Sequence, residues 1–133
     1  MRLEHIGIAV KELGISNDVF AKLLGKDNYK TEHVASESVT TSFFQTGEPK
    51  IELLESEDVN SAVSKFIEKR GEGIHHLAFN VDDIEKEMKR LTKLGFRLIN
   101  ETPKKGADNK LICFIHPKST NGVLVELCQD IKE

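Results

Sequence analysis

Hydrophobic and polar residues alternate strictly over residues 3–10, which predicts a β-strand with two different faces. One face carries large branched side chains, while the other carries a histidine followed by two small residues. A histidine flanked by small side chains leaves open space around its ring, whereas a core histidine would be surrounded by large ones. The histidine face consists of His5, Gly7 and Ala9, and the opposite, core face consists of Ile6, Ile8 and Val10.

A helix and three further strands are predicted after this first strand. Residues 16–18 supply capping side chains, an apolar stripe follows at helical spacing, and Gly25 ends the helix. The next three hydrophobic runs are short and strand-like, and the turn at 46–49 joins the last two as a hairpin. These runs cover residues 29–35, 39–45 and 50–55.

A connector helix is predicted at about 58–71, and the same order of elements then starts again. A strand over residues 74–81 leads into a helix over 82–94, with Asp82 as its N-terminal cap and Gly95 as its stop. Three strand-like runs follow this second helix. They cover residues 97–101, 111–116 and 122–129.

The two halves of the chain resemble each other in sequence as well as in element order. The segment HIGIAV at 5–10 aligns with HLAFNV at 76–81, and the apolar run around Glu52 aligns with the run around Glu126. An internal duplication of this kind determines the fold prediction. We therefore expect an α+β fold made of two βαβββ repeats. One domain would cover residues 1–133, with repeat units 1–56 and 73–133 joined by the helix at about 58–71.

Composition and charge narrow the range of partners. The chain has 133 residues, of which 38% are hydrophobic and 31% charged, as is ordinary for one soluble domain. It has no run of about 18 apolar residues and no signal-peptide core at its start, so we expect a cytoplasmic protein without a membrane partner. The formal net charge of -3 and the pI near 6.0 argue against a nucleic-acid partner, which would require a basic surface. Cys113 and Cys128 are too far apart for a C-x-x-C motif and are interpreted as packing residues.

Glutamates stand inside apolar runs in the last strand of each half, as Glu52 and Glu126. A carboxylate buried in such a strand has to be paired or bound to a metal. Each half also has a histidine in its first strand, and the repeat selects His76 rather than His75 as the counterpart of His5. Two imidazoles and two carboxylates converging on one cavity suit a divalent cation such as cobalt, nickel, manganese, iron(II) or zinc.

Taken singly, each of these residues has a simpler interpretation. A lone strand histidine is more often hydrogen-bonded or at the surface, and a lone strand glutamate more often points outward from a half-solvated sheet. Four such residues at matching repeat positions favour a shared site instead. His33 and His75 have no matching counterpart and are expected at the surface.

Four segments carry a resemblance to a known family, and the likeness covers nearly the whole chain. They read HIGIAV, KIELLE, GIHHLAFNVDDI and HPKSTNGVLVEL. With the doubled βαβββ order, the chain resembles the vicinal oxygen chelate superfamily, which includes glyoxalases, bleomycin-resistance proteins and extradiol dioxygenases. Within it, these segments are most similar to methylmalonyl-CoA epimerases. The resemblance implies a fold in which the two repeats form a metal-binding half-barrel cavity.

Residue roles follow from the resemblance. It implies metal ligands at His5, Glu52, His76 and Glu126, with Glu126 also transferring a proton. Epimerisation ordinarily needs acid/base groups on both sides of the substrate carbon, and a described epimerase has a second glutamate on the strand before the KIELLE hairpin. In this chain Thr41 stands near the matching place, so the second base is left to Glu52 or to Glu37, which is close in sequence.

The resemblance implies a metal-dependent epimerase that abstracts the α-proton of methylmalonyl-CoA through a metal-stabilised enolate, and a homodimer. A glyoxalase I would use the same four ligands on a glutathione hemithioacetal. A metal-free binding protein of the bleomycin-resistance type would need an aromatic groove, which no Trp, one Tyr and seven Phe support poorly. An extradiol dioxygenase would use two histidines and one carboxylate with iron, which leaves Glu52 unexplained.

A basic, turn-rich region precedes the last strand and contains Lys104, Lys105 and Lys118. Lysine side chains are usually exposed, so one interpretation is a solvated loop. The alternative is that these three lysines contact the phosphates of an acyl-CoA thioester substrate.

Overall fold

A computed structural model describes residues 1–132, which form two compact units. The first unit contains residues 5–75, and the second contains residues 1–4 together with the chain from residue 76 onward. The elements follow the predicted order βαβββ twice, with one helix in between. They are β1 (Arg2–Ala9), α1 (Leu13–Leu24), β2 (Lys30–Val34), β3 (Val39–Gln45), β4 (Lys50–Glu55), α2 (Ala62–Arg70), β5 (Gly73–Asn80), α3 (Ile84–Lys93), β6 (Lys104–Lys105), β7 (Lys110–Ile115) and β8 (Val125–Asp130).

In the first unit the strand order is β2-β3-β4-β1, with β1 parallel to β4 and the other pairs antiparallel. Helix α1 covers one side of this sheet, because its apolar residues pack on alternate residues of the strands. The side chains buried there are Val10, Leu13, Phe44 and Leu53.

Helix α1 begins three residues earlier than the sequence predicts. The predicted capping residues 16–18 lie inside the helix, which starts at Leu13. The backbone N–H of Leu13 donates to Glu55 Oε2 at 2.7 Å, so a carboxylate from β4 satisfies the helix N-terminus. The predicted stop is confirmed, since Gly25 has the left-handed conformation with φ 74° that glycine adopts without strain.

In the second unit the strand order is β5-β8-β7-β6, with β5 parallel to β8. Helix α3 covers one side of this sheet. Its N-terminal cap is Asp83, whose side chain accepts a hydrogen bond from the N–H of Lys86 at 3.1 Å, so the prediction of Asp82 as the cap is wrong by one residue. The residues buried under the helix are Val81, Ile84, Met88, Leu91, Cys113, Ile115 and Leu127.

The predicted strand at 97–101 is wrong. In this segment only Leu98 forms an isolated bridge, to Ile115, and the side chain of Asn100 accepts the N–H of Phe114 at 2.9 Å. A side-chain amide therefore replaces the backbone acceptor that would continue a ladder. The second strand of this repeat is instead β6, just after Pro103.

The connector helix and the two cysteines agree with the sequence-based predictions apart from the start of the helix. The connector helix is confirmed but starts at Ala62, where the Ser61 hydroxyl oxygen accepts the N–H of Ser64. Cys113 and Cys128 are buried free thiols, as their interpretation as packing residues requires. None of the helices within residues 1–132 is long and apolar enough to cross a membrane.

The two faces of β1 differ from the prediction in their burial. Ile6 and Ile8, expected to be core, are only half-buried, while His5, Gly7 and Ala9 are all buried. The histidine face is therefore the more enclosed side of the strand. The same holds for β5, where His76 and Ala78 are buried and their neighbours are half-buried.

Candidate active site

His5 and Glu52 meet on one side of the first unit's sheet, here called the first site face. In the parallel pair of β1 and β4, Gly7 is the register partner of Glu52, and His5 lies two residues before Gly7 on the same side. His5 Nδ1 is 3.0 Å from Glu52 Oε2. Both residues are buried, at 4% and 3% exposure. Gly7 has no side chain at the position directly opposite Glu52.

His76 and Glu126 repeat this arrangement in the second unit, on what is here called the second site face. Ala78 is the register partner of Glu126 in the parallel pair of β5 and β8. His76 Nε2 is 3.6 Å from Glu126 Oε1, and the residues are 5% and 6% exposed. The small residue two positions after each histidine faces the glutamate in both units. The repeat seen in the sequence is therefore also a repeat of register.

The chemistry of these donors fits a divalent metal ion. Imidazole nitrogen and carboxylate oxygen are common ligands of zinc, manganese, iron, cobalt and nickel. Two ligand atoms that are each about 2.1 Å from one ion lie roughly 3 to 3.5 Å apart. The separations within the two pairs, 3.0 and 3.6 Å, are close to this range. Removing these four side chains from water is costly unless a partner compensates their polar atoms.

Apolar side chains surround the pair in the second unit. The Phe114 ring meets the His76 ring edge-on, with centroids 5.9 Å apart and an interplanar angle of 89°. Phe114 also packs against the buried cluster of Ala78, Ile112 and Cys128. An apolar surrounding lowers the local dielectric constant and so strengthens the interaction of charges near Glu126.

The first site face continues across β3. Phe43, which is fully buried, is the register partner of Glu52 in the antiparallel pair of β3 and β4. Thr41 lies two residues before Phe43 on the same side and is 1% exposed. The position that the resemblance assigns to a second glutamate is thus on the site face but carries a hydroxyl.

His75 lies on the other side of β5 from His76, as strand alternation requires, but it is not at the surface as predicted. Its ring packs edge-on against Phe66 of α2, with centroids 5.0 Å apart. Burial lowers the pKa of His75, and the nearby negative charge of Glu37 offsets part of this decrease. Glu37 therefore lies near His75. The other predicted surface histidine, His33, is exposed, as expected.

The three lysines proposed to contact phosphates do not share one surface. Lys104 pairs with Ile112 and lies on the second site face, whereas Lys105 pairs with Leu111 and points to the opposite side. Lys118 is exposed, in a short 3₁₀ turn. The sequence pattern could not separate Lys104 from Lys105, because it predicted a loop there.

Sequence reasoning missed one charged residue on the second site face. Lys110, only 6% exposed, forms an ion pair with Asp130 across β7 and β8. The pattern offered no signal for it, since a lysine at the start of an apolar strand ordinarily points into solvent.

Comparison with known proteins assigns the family. Residues 4–114 match the model of the glyoxalase/bleomycin resistance protein/dioxygenase superfamily. The chain is 41% identical to an uncharacterized protein, YqjC, of Bacillus subtilis, over 96% of this chain and 91% of that one. It is 40% identical to the mitochondrial methylmalonyl-CoA epimerase of Dictyostelium discoideum, over 95% of this chain and 76% of that one.

A solved structure gives the same grouping. A variant of Streptomyces coelicolor methylmalonyl-CoA epimerase, in complex with 2-nitronate-propionyl-CoA, superposes with a TM-score of 0.95 at 30% identity, covering 99% of each chain. Epimerases are isomerases, so the named enzymes to which this chain is similar belong to that class. The chain therefore belongs to the glyoxalase/bleomycin resistance protein/dioxygenase superfamily, has its vicinal oxygen chelate fold, and is similar within it to the methylmalonyl-CoA epimerases.

Proposed function

We propose that this chain is a metal-dependent epimerase that inverts the α-carbon of methylmalonyl-CoA. The observation that carries the proposal is the pair of buried His–Glu sites at equivalent register positions, His5 with Glu52 and His76 with Glu126. The similarity to epimerases over nearly the whole chain supports it, as does the acyl-CoA analogue named in the complex of the Streptomyces coelicolor enzyme.

The four residues His5, Glu52, His76 and Glu126 would hold one divalent ion, whose identity among cobalt, nickel, manganese, zinc and iron stays open. When bound, the ion would supply fixed positive charge for the oxygen that becomes negative when the α-proton leaves. The two histidines act only as neutral donors in this scheme. The neutral imidazole is the form that binds metals.

Glu126 would remove the α-proton. A carboxylate oxygen accepts the proton as the C–H bond breaks, and the electron pair of that bond moves into the thioester carbonyl. The apolar ring of Phe114 beside His76 lowers the polarity of the surroundings on this side. Return of a proton to the other side of the carbon completes the inversion. The sequence leaves the group that delivers this proton open between Glu52 and Glu37.

The acyl-CoA tail needs cationic partners for its phosphates. Lys104, Lys105 and Lys118 are the predicted contacts, and the second site face favours Lys104 among them. A lysine contacts phosphate as a point charge, so each would contribute to substrate affinity rather than to the chemical step.

Proton exchange tests this function directly. Metal-loaded protein is incubated with one diastereomer of methylmalonyl-CoA in deuterated water, and the α-position is followed by NMR. We expect α-deuterium together with conversion to the other diastereomer. A glyoxalase I would leave this thioester unchanged and would instead convert the hemithioacetal of methylglyoxal and glutathione, which serves as the parallel substrate. A metal-free binding protein would convert neither.

A further inference from the structure

We propose that Glu32 of β2 is the second proton-transfer residue, acting with Glu126 in the reaction proposed above. The inference rests on that proposed function. An epimerase that works from two sides of a carbon needs one group to remove a proton and another to deliver one. Thr41 cannot fill this role, because its hydroxyl does not ionise near neutral pH.

Strand register brings Glu32 onto the first site face. In the antiparallel pair of β2 and β3, Glu32 is the direct partner of Thr41. Directly opposite residues in an antiparallel pair project to the same side of the sheet. Thr41 in turn shares its side with Phe43, the partner of Glu52. Glu32 and Glu52 therefore lie on the same side of one sheet, with Thr41 and Phe43 between them.

Contacts of Lys30 confirm that the side chains of Lys30 and Glu32 lie on the first site face. Lys30 is the register partner of Phe43, and its Nζ lies over the Phe43 ring, 4.6 Å from the centroid. The same Nζ is 3.6 Å from Glu32 Oε1. The Glu32 carboxylate therefore lies beside the ammonium group of Lys30. That group is stacked on the ring of Phe43, the register partner of Glu52.

Glu32 and Glu52 lie two strand spacings apart. Neighbouring strands are about 4.8 Å apart, so the backbones of β2 and β4 are separated by roughly 10 Å. Threonine is shorter than glutamate, so the carboxylate of Glu32 extends beyond the Thr41 side chain.

Solvent access distinguishes Glu32 from the buried glutamates. Its side chain is 35% exposed, against 4% for Glu52 and 8% for Glu126. After each turnover one carboxyl group has gained a proton and the other has lost one. A half-exposed carboxylate can exchange its proton with water and so restore the starting state.

The two other candidates have different surroundings. Glu52 is in contact with His5 and is proposed above as a metal ligand. The charge of Glu37 lies near His75, whose ring packs on α2, away from the first site face. Among these three glutamates, Glu32 is the one on that face whose carboxylate is not assigned to the metal.

The chemical step is balanced in each direction. Glu126 takes the α-proton as one C–H bond breaks, and protonated Glu32 gives its proton to the other side of the carbon as a new C–H bond forms. In the reverse direction Glu32 takes the α-proton and protonated Glu126 gives one. No oxidant, reductant or further reactant is needed.

Each diastereomer tests one base, which makes the experiment specific. Glu32→Gln and Glu32→Asp are compared with wild type, with Glu48→Gln as an exposed glutamate control. For each protein we measure α-proton exchange from either diastereomer in deuterated water, epimerisation, metal content and melting temperature. The melting temperature confirms folding, and the metal content shows that the ligands are intact.

Glu32→Gln is expected to lose epimerisation by about 10²-fold or more while keeping its metal and its folding. Exchange should fall for one diastereomer only, since Glu126 still serves the other. Glu32→Asp, with its shorter reach, should show an intermediate loss. The Glu48→Gln control should match wild type. Near-normal epimerisation by Glu32→Gln overturns the assignment, as does an equal loss of exchange from both diastereomers. Absence of exchange in wild-type protein overturns the proposed function itself, and the assignment with it.

Discussion

Glu52 Oε2 lies 3.0 Å from His5 Nδ1, and both side chains are buried on the same side of their sheet. The second unit repeats the relationship with His76 and Glu126, at the same register position relative to a small residue. A duplicated His–Glu pair of this kind is a suitable set of metal ligands. It supplies two neutral nitrogen donors and two anionic oxygen donors, a set that a divalent ion satisfies.

Metal removal is expected to destabilise the protein and abolish activity. An ion that binds only the native state adds about 2.7 kcal/mol when its free concentration is 100-fold above Kd. Thermal unfolding with and without a chelator, alongside measured metal content, checks this. An unchanged melting temperature after verified metal removal would show that the His–Glu pairs are held by packing alone.

Replacing Glu126 separates its two roles. Glu126→Gln keeps an oxygen donor of similar shape but loses the basic carboxylate, so we expect metal to be retained while turnover falls by roughly 10²-fold or more. Metal analysis and α-proton exchange on the same sample measure both effects. Loss of metal in step with turnover would mean that Glu126 acts as a ligand only.

The histidines should behave differently from the glutamates. His5→Ala and His76→Ala each remove a nitrogen donor, so metal should be lost first and activity as a consequence. Glu52→Gln should be milder, with metal and substantial activity kept. If Glu52→Gln loses exchange while Glu126→Gln keeps it, the roles of the two glutamates are reversed.

Lys104 should affect affinity for the substrate more than turnover. Lys104→Ala is expected to raise the KM for acyl-CoA roughly 3- to 10-fold with little change in kcat, because a hydrogen-bonded charge contributes about 1.5 to 3 kcal/mol before solvent screening. Lys86→Ala, an exposed lysine on α3, is the control. Equal KM values in wild type and Lys104→Ala would remove Lys104 from the binding site.

The contact between Leu13 and Glu55 should contribute to stability without affecting chemistry. Glu55→Ala removes the acceptor at the start of α1, and loss of such a cap costs about 1 kcal/mol. Denaturant unfolding measures the free energy of unfolding, and metal content should stay unchanged. No measurable change in that free energy would mean that water replaces the carboxylate.

Local patterns predicted the parts of the site that depend on them. Strand alternation and the internal repeat selected His76 over His75, and the apolar runs identified Glu52 and Glu126. These signals are local because side chains alternate along a strand regardless of what the strand pairs with. The internal repeat then indicated which residues of the two halves are equivalent, which the pattern of a single strand cannot show.

Features that depend on contacts distant in sequence were not predictable. Helix α1 starts at Leu13 because Glu55, on another strand, accepts its N–H. The second strand of the second repeat shifts to β6, because the Asn100 side chain accepts the N–H of Phe114. The place of Glu32 opposite Thr41 follows from the register of two strands, which the sequence pattern does not fix.

Two expectations about this chain stay predictions. A homodimer and a cytoplasmic location are consistent with the proposed reaction but do not follow from it. Size measurement at working concentrations, by sedimentation or light scattering, would test the first.

The most direct test of the central claim follows a single diastereomer of methylmalonyl-CoA with metal-loaded, folded protein in deuterated water. The proposed function predicts that α-deuterium appears and that the starting diastereomer converts to a mixture of both, and that a chelator stops both processes. Metal-loaded protein that leaves the α-proton and the configuration unchanged would contradict it.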